Sequence, residues 1–354
     1  MRGQNNVQGA CDMGALPNVY PGYQRVSDPA LREKMQKKWH VASLPAVEGL
    51  KVTEMIPRAL EGDVRAMYII GENPVLSDAD SGHVRQALDR LDFLVVQDIF
   101  LTETAQYADV VLPACTFAEK EGTFTNTERR VQRVRKALKP IGDSLPDSEI
   151  IIRLAERFGI SWTYNDSSEI MDEVASLAPQ YGGIEYCRLE EEGVHWPCRG
   201  PQDPGTPILH CDMFSCGLGR FQPIHASSPA EASDADYPLR LTTGRVLYQY
   251  HTGTMTRKSK GLNALARECL VEMAPEDAQA YDLEDGAGVR VSSRRGTIQA
   301  KVRISKTAVP GTVFIPFHFA EAAANVLTNP RTDPVSGIPE FKACAVQLAR
   351  LKVE

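Results

Sequence analysis

Two runs of this chain bring together side chains that could do chemistry. The first is residues 2–16, RGQNNVQGACDMGAL, where an arginine, small-residue breaks and amides fall in one short stretch. Arg2 has the planar fork of donors that suits a carboxylate. Gly3 and Gly9 let the backbone come close to a ligand, and Gln4, Asn5 and Asn6 can bond the edge of a heterocycle. Position alone argues the other way, since an arginine this near a chain end is more often a solvated, frayed one. The second is residues 242–259, TTGRVLYQYHTGTMTRKS. The hydroxyls of Thr242, Thr243, Thr252, Thr254, Thr256 and Ser259, with Arg245, Arg257 and Lys258, are dense in donors for phosphate oxygens. Read blandly, the same run is a threonine-rich strand.

Other candidates are weaker. Asp98 closes an apolar run, the place where dinucleotide folds put the acid that binds a ribose or a guanine edge, although a helix cap is equally served by it. No GxGxxG occurs, so no NAD site is expected on this chain. The eight cysteines are scattered without a CxxC, which removes zinc-ribbon and cluster-binding frames and predicts mostly buried, reduced thiols. His210, Cys211 and Cys216 could hold a metal if His225 folded back, against the plainer reading of a loop with ordinary thiols. Residues 119–135, EKEGTFTNTERRVQRVR, read as a turn and an extended segment, and by themselves as a solvated charged face.

Composition bounds the rest. At 354 residues and 43% hydrophobic the chain can build two domains with sizeable cores. A formal charge of −7 argues against nucleic acid or an anionic membrane as partner. No apolar run reaches the roughly 18 residues that span a bilayer and no signal segment opens the chain, so a cytoplasmic location without a membrane span is expected.

The elements that must position these residues follow in order. Residues 28–39 read as a helix with Asp28 as cap and Pro29 at its first position, and residues 52–60 as a second helix. Then β and α alternate. Residues 66–70 (AMYII) read as a strand buried on both faces, 81–91 as an amphipathic helix, 93–96 as a strand ending in Gln97-Asp98, 102–108 as a short helix and 110–112 as a third strand. Ligands of such sheets lie beyond the carboxyl ends of the strands, which brings forward the loops Gly71-Glu72-Asn73-Pro74 and Gln97-Asp98. Residues 146–158 form a helix with a core-facing stripe at Ile150, Ile151, Leu154, Ala155 and Phe158, ended by Gly159. Residues 167–177 repeat the pattern with Ser167 or Ser168 as cap, and 181–224 are mostly loop. The stretch 226–237, ASSPAEASDADY, cannot contribute to a core and reads as a linker. Beyond it, strands at 239–242, 288–292, 297–304, 312–317 and 344–348, with brief helices near 275–281 and 320–325, point to a small β-barrel.

The motifs also resemble one family. RGQNNVQGACDMG with YPGYQRV and DPALREK, then EGTFTNTERRVQ and TGRVLYQYHTGTMTR, are similar in order and kind to the molybdenum- or tungsten-dependent formate dehydrogenases, and the likeness runs to the last residues. It implies a fold of class α/β followed by β: an incomplete Rossmann-like αβα domain over 1–225, a linker over 226–237, and over 238–354 the double-psi β-barrel that closes on the cofactor. It also implies a C-terminal portion of the catalytic (alpha) subunit. The cluster cysteines, the metal-ligating cysteine or selenocysteine and its neighbouring histidine then lie on upstream sequence, so that the chain holds no metal ligand and is inactive alone. The cofactor implied is bis(molybdopterin guanine dinucleotide) with molybdenum or tungsten, and iron-sulfur clusters only upstream. Arg2 is implied to orient formate and Gln4 to support it. Cofactor contacts are implied at Gly71, Glu72, Asn73, Gln97, Asp98 and Thr102, at Thr243, Arg245, Tyr250, His251, Thr252 and Thr254, and at His318, Asn325, Phe341 and Lys342. Formate would become carbon dioxide, with electrons passing through a pterin to the clusters and a partner such as an NAD-reducing flavoprotein. The competing reading is a non-catalytic module that binds cofactor or partner only.

Overall fold

The computed structural model describes residues 4–214, 216–224 and 228–351. They fall into two compact units, Met1–Lys51 with Pro113–Ile224, and Val52–Leu112 with His225–Glu354.

The second unit holds a closed barrel of six strands. In barrel order these are Leu270–Met273, Thr297–Ile304, Gly288–Ser292, Cys344–Arg350, Leu239–Gly244 and Thr312–Pro316. Alternation of period two turns Leu239 and Leu241, Val289 and Val291, and Val313 and Ile315 into one core. The strand Leu270–Met273 is absent from the sequence reading. Four residues make too short a pattern, and its partners are the non-local Thr297–Ile304 and Thr312–Pro316.

The same unit carries a three-stranded sheet in the order Ala66–Ile70, Phe93–Asp98, Val110–Pro113. The first two run parallel, with Ala66 opposite Phe93 and Ile70 opposite Gln97. Met67, Ile69, Leu94 and Val96 face a core that includes Val84 and Leu88 of the helix Ser81–Asp89. The expectation that 66–70 is buried on both faces is corrected: Tyr68, Ile70 and Phe93 are exposed, as are Val110 and Val111. The reason is coverage. The helices Val52–Glu61 and Ser81–Asp89 pack on each other and line one face, and a parallel sheet is dry on both faces only where helices lie on both. The helix expected over 102–108 is a single 3-10 turn, Ala105–Tyr107, for which Thr102 Oγ1 accepts from Ala105 N at 3.2 Å.

The stretch read as a free linker is fastened to the barrel where it is described. Glu231 accepts from Arg294 at 2.5 Å and from Arg295 at 2.6 Å, Asp234 pairs with Arg294, and Arg294 lies 4.6 Å from the Tyr237 ring. Composition signals a lack of apolar burial but says nothing about a clamp built from charge.

In the first unit, the helix Pro29–Trp39 starts as expected, with Asp28 accepting from Ala30 N at 2.9 Å and Leu31 N at 3.2 Å. The helix Asp147–Arg157 buries Ile150 and Ala155, but Ile151 and Phe158 are exposed, so its core-facing stripe is narrower than read. The helix Ser167–Leu177 is capped by Asp166, which accepts from Ser168 N at 2.7 Å, and not by a serine. Residues 119–135 make an antiparallel pair, Gly122–Thr125 with Arg130–Val134, extended by Val194–His195. Among the described residues no helix is long and apolar enough to cross a membrane.

Candidate functional site

The opening motif belongs to the first unit. Arg2 and Gly3 lie outside the described residues, and Gln4 is half-buried. Asn6 takes a left-handed conformation at φ 59°, just before the helix Val7–Asp12, and its Oδ1 accepts from Thr125 N at 3.0 Å. A Cβ on Gly9 would strike the Asn6 side chain and come within 3.3 Å of Thr125 N, so this glycine lets the Asn6–Thr125 link form. Asn6 thus serves the fold. The sequence reading passed over Asp12, which is fully buried and is the acceptor around which the motif is packed.

In the second unit the strand-end loops are built from their own polar side chains. Gly71, at φ +63° and open to solvent, donates its N–H to the Gln97 carbonyl at 2.9 Å. Glu72 Oε1 accepts from Asn73 N at 3.1 Å and Ser77 Oγ at 3.0 Å. Asn73 is buried; its amide donates to Glu103 at 2.7 Å and accepts from Thr104 Oγ1 at 2.7 Å. Gln97 is buried against the Tyr68 hydroxyl, and Asp98 Oδ1 accepts from Phe100 N at 3.1 Å. Burial pushes the Asp78 carboxyl up to about 6; the Ser77 hydroxyl opposes the shift and Glu72 adds to it.

On the barrel, Thr243 Oγ1 donates to Phe341 O at 2.8 Å and the Thr243 carbonyl accepts from Lys342 Nζ. His318 is fully buried: Val246 N donates to its Nε2 at 3.0 Å and its Nδ1 donates to His251 O, which requires the neutral ring. Burial lowers the pKa of His318, His251 and Lys342, and the Arg245 guanidinium lowers each further. Arg245 is exposed, and it and Lys342 carry the positive charge here, while both histidines are pushed toward their neutral forms. Asn325, also buried, donates to Leu76 O at 2.9 Å and Ser77 O at 3.0 Å and so joins the strand-end loop to the barrel. Tyr250 N donates to Thr256 Oγ1 at 3.1 Å, which closes the turn that carries Thr252 and Thr254.

These loops enclose a cavity of about 270 Å³, lined by Leu76, Phe100, Leu101, Thr102 and Glu103 on one side and by Thr252, Gly253, Thr254, Arg257, Lys258, His318 and Ala320 on the other. Of the expected cofactor contacts, Thr102, Thr252, Thr254 and His318 line it. Asn73, Gln97, Thr243, Asn325 and Phe341 use polar atoms on protein partners that shape the loops. Phe100, Leu101 and Ala320 were missed, because apolar loop residues carry no signal of their own, and Glu103 because a lone loop carboxylate carries none until its Asn73 partner is in place. Gly253 sits at φ +73°, and a Cβ there would lie 2.9 Å from Arg257 Cγ, so the turn is tied to glycine. The donor set is hydroxyls, turn amides and the cation Lys258; Arg257 is paired through both terminal nitrogens with Glu321 at 2.7 Å and 2.8 Å, and Glu103 accepts from the Asn73 amide. Such a set fits a phosphate-bearing ligand.

Four of the eight free cysteines are buried, and Cys187, Cys211 and Cys216 are exposed, fewer buried than expected. His225 lies outside the described residues. Among those described, no three His, Cys, Asp or Glu side chains gather to hold a metal.

Comparison with known proteins follows the same lines. Residues 1–157 match the molybdopterin oxidoreductase family and residues 239–345 the molydopterin dinucleotide binding domain. The F420-dependent formate dehydrogenase 1 subunit alpha of Methanococcus maripaludis is 50% identical over 355 residues, 99% of this chain and 52% of that protein. Formate dehydrogenase H of Escherichia coli is 42% identical over 354 residues, 98% of this chain and 50% of that one. The chain spans about half the length of these relatives. Among solved structures, the acetylene hydratase of Pelobacter acetylenicus superposes with a TM-score of 0.68 at 18% identity, over 92% of this chain and 50% of that one, a likeness of fold alone.

Proposed function

Because the chain belongs to the molybdopterin oxidoreductases, as a region of the formate dehydrogenase catalytic-subunit type, we propose that it holds a bis(molybdopterin guanine dinucleotide) cofactor and orients formate for oxidation to carbon dioxide. The observation that carries the reading is the cavity at Thr252, Gly253 and Thr254, whose donors suit a dinucleotide and whose one lining carboxylate, Glu103, is turned to the Asn73 amide. In this reading Thr252, Thr254 and Lys258 hold phosphate oxygens, Arg257 braces the turn through Glu321, and Arg245 and Lys342 add positive charge nearby. Gly71, Glu72 and Asp98 meet the nucleotide beyond the strand ends. Asn73, Gln97, Thr102, Thr243, Tyr250, His251, His318, Asn325 and Phe341 keep those loops in shape. The domain division is carried along: 1–225 as the partial α/β domain, 226–237 as the joining segment and 238–354 as the double-psi barrel. When bound, the metal-pterin group supplies the two-electron redox chemistry.

What the chain's own residues add is alignment. Arg2 grips the formate carboxylate through two donors and Gln4 supports that geometry, so that the single C–H bond points one way. A charge-assisted contact of this kind is worth on the order of 1.5–3 kcal/mol, and misalignment adds to its loss. In the complete enzyme with its metal and clusters, Arg2→Ala should therefore cost about a hundredfold in kcat/KM, and Arg2→Lys, which keeps charge without the fork, should also be impaired. Near-normal kinetics for Arg2→Ala would remove it from the site.

The first measurement is made on enzyme purified from its native source: metal and pterin content, then formate-dependent reduction of a viologen dye, of F420 and of NAD. The F420-dependent relatives make F420 the first physiological acceptor to try, beside the flavoprotein route to NAD. Stoichiometric metal with formate oxidation supports the reading. An apo chain without formate activity supports the cofactor- or partner-binding module in its place.

A further inference from the structure

Asp12 is fully buried and accepts hydrogen bonds on both oxygens. Oδ1 takes one from Gln8 Nε2 at 2.7 Å and one from the Tyr23 hydroxyl at 2.8 Å; Oδ2 takes one from the Tyr181 hydroxyl at 2.6 Å and one from Trp196 Nε1 at 2.7 Å. Four donors fill the acceptor capacity of a carboxylate, and an indole N–H and an amide NH2 can only donate, so the pocket is made for the anion. A buried charge is an expensive way to fill space, since an apolar side chain would do so without desolvation. It does give direction. Each donor fixes an angle as well as a distance, and two of the four come from residues 169 and 184 positions away in sequence.

The helix that Asp12 ends is only six residues long, Val7–Asp12, too short to hold its own orientation. Its start is fastened by the Asn6 link to Thr125 N, and its end by the four donors on Asp12. The Tyr181 and Trp196 rings lie 6.2 Å apart beside Asp12, and the Arg129 guanidinium lies 5.4 Å from the Trp196 ring, so the frame is itself packed. We propose that Asp12 is a positioning residue: through its four donors it sets the orientation of the helix Val7–Asp12 and thereby of the segment before it that carries Gln4 and Arg2. The inference rests on the reading of that segment as the part that orients formate.

The test uses the complete enzyme with metal and pterin quantified, and compares Asp12→Asn with Tyr23→Phe and Trp196→Phe. Asparagine keeps the shape but turns an NH2 toward two donors, so the frame loses register. Expected for Asp12→Asn is faster hydrogen exchange over residues 4–12 and a kcat/KM for formate, per metal-loaded site, lower by about tenfold or more, with a larger isotope effect on deuterated formate as C–H cleavage becomes harder to align. Each single-donor variant should show a smaller loss in the same direction. A merely structural role would lower thermal stability and metal content but leave kcat/KM and the isotope effect per loaded site unchanged, and that result overturns the proposal. If Asp12→Asn yields no folded enzyme, Tyr23→Phe decides by the same readouts. Should the wild-type enzyme not oxidise formate, the functional reading fails; unchanged exchange over residues 4–12 overturns the positioning role whatever happens with formate.

Discussion

The protonation of two side chains in the second unit follows from geometry and has consequences for stability. His318 accepts from Val246 N–H at Nε2 and gives its Nδ1 proton to His251 O, so a second proton would have to displace a backbone donor. Burial chiefly lowers its pKa, and that of His251, below the ordinary 6.5. A depressed histidine pKa means that the unfolded chain takes up protons first as pH falls through about 6.5, so stability present above that pH is lost below it. His318→Phe should flatten this loss between about pH 7 and pH 5. It should also cost about 1–3 kcal/mol at pH 8, where Val246 N–H and the His251 carbonyl lose their partner. Thermal melts of both proteins across the range check both parts. Asp78 has the opposite sign. Its carboxyl is raised to about 6, so the folded form holds a proton that the unfolded form gives up, and stability falls as pH rises from about 4 to about 6. Asp78→Asn should therefore raise the melting point at pH 8 and make no difference near pH 4; an equal effect at both would show that burial of the charge is not the cause. For Asp98, whose Oδ1 holds Phe100 N at the wall of the cavity, replacement by alanine should reduce pterin retention in the complete enzyme without unfolding it. Full metal and pterin occupancy in that variant would take Asp98 out of the site.

Among the elements, the uncovered sheet face matters most. Tyr68, Ile70 and Phe93 present an apolar surface on a parallel sheet, an arrangement that invites association. The chain expressed alone should self-associate, and Ile70→Lys with Phe93→Lys should shift it toward monomer in sedimentation velocity. Identical sedimentation of the double variant and the parent would show that some other surface drives association. A second element-level effect concerns the segment before the barrel. Glu231 is largely buried and holds two arginines, and Arg295 is also largely buried, so Glu231→Gln leaves cationic groups short of a partner. A loss of about 1–3 kcal/mol in chemical denaturation is expected, falling as salt rises. The residues announced the clamp poorly: an Ala/Ser/Asp run reads as linker, and the Arg294-Arg295 turn that receives it lies about sixty positions on.

At the scale of the molecule, each unit has cores of its own. One is built around Val131, Met171, Tyr181 and Ile184, and the barrel core around Leu241, Val271, Val289 and Ile315. Calorimetry of the chain should resolve more than one transition, and a calorimetric enthalpy equal to the van't Hoff value over a single peak would contradict this. Local pattern determined the helices Pro29–Trp39 and Ser167–Leu177 and five of the six barrel strands, because periodicity and capping residues act over a few positions. Motif likeness determined the family and the kind of ligand, since a donor-rich run keeps its meaning wherever it lies in the chain. Tertiary structure alone decided that Asn325 would fasten Leu76 and Ser77 to the barrel, that Asp12 would gather Tyr181 and Trp196, and that one sheet face would stay bare. Those outcomes depend on partners 150 or more residues away, or on which helices cover a sheet, and no spacing within a run encodes either.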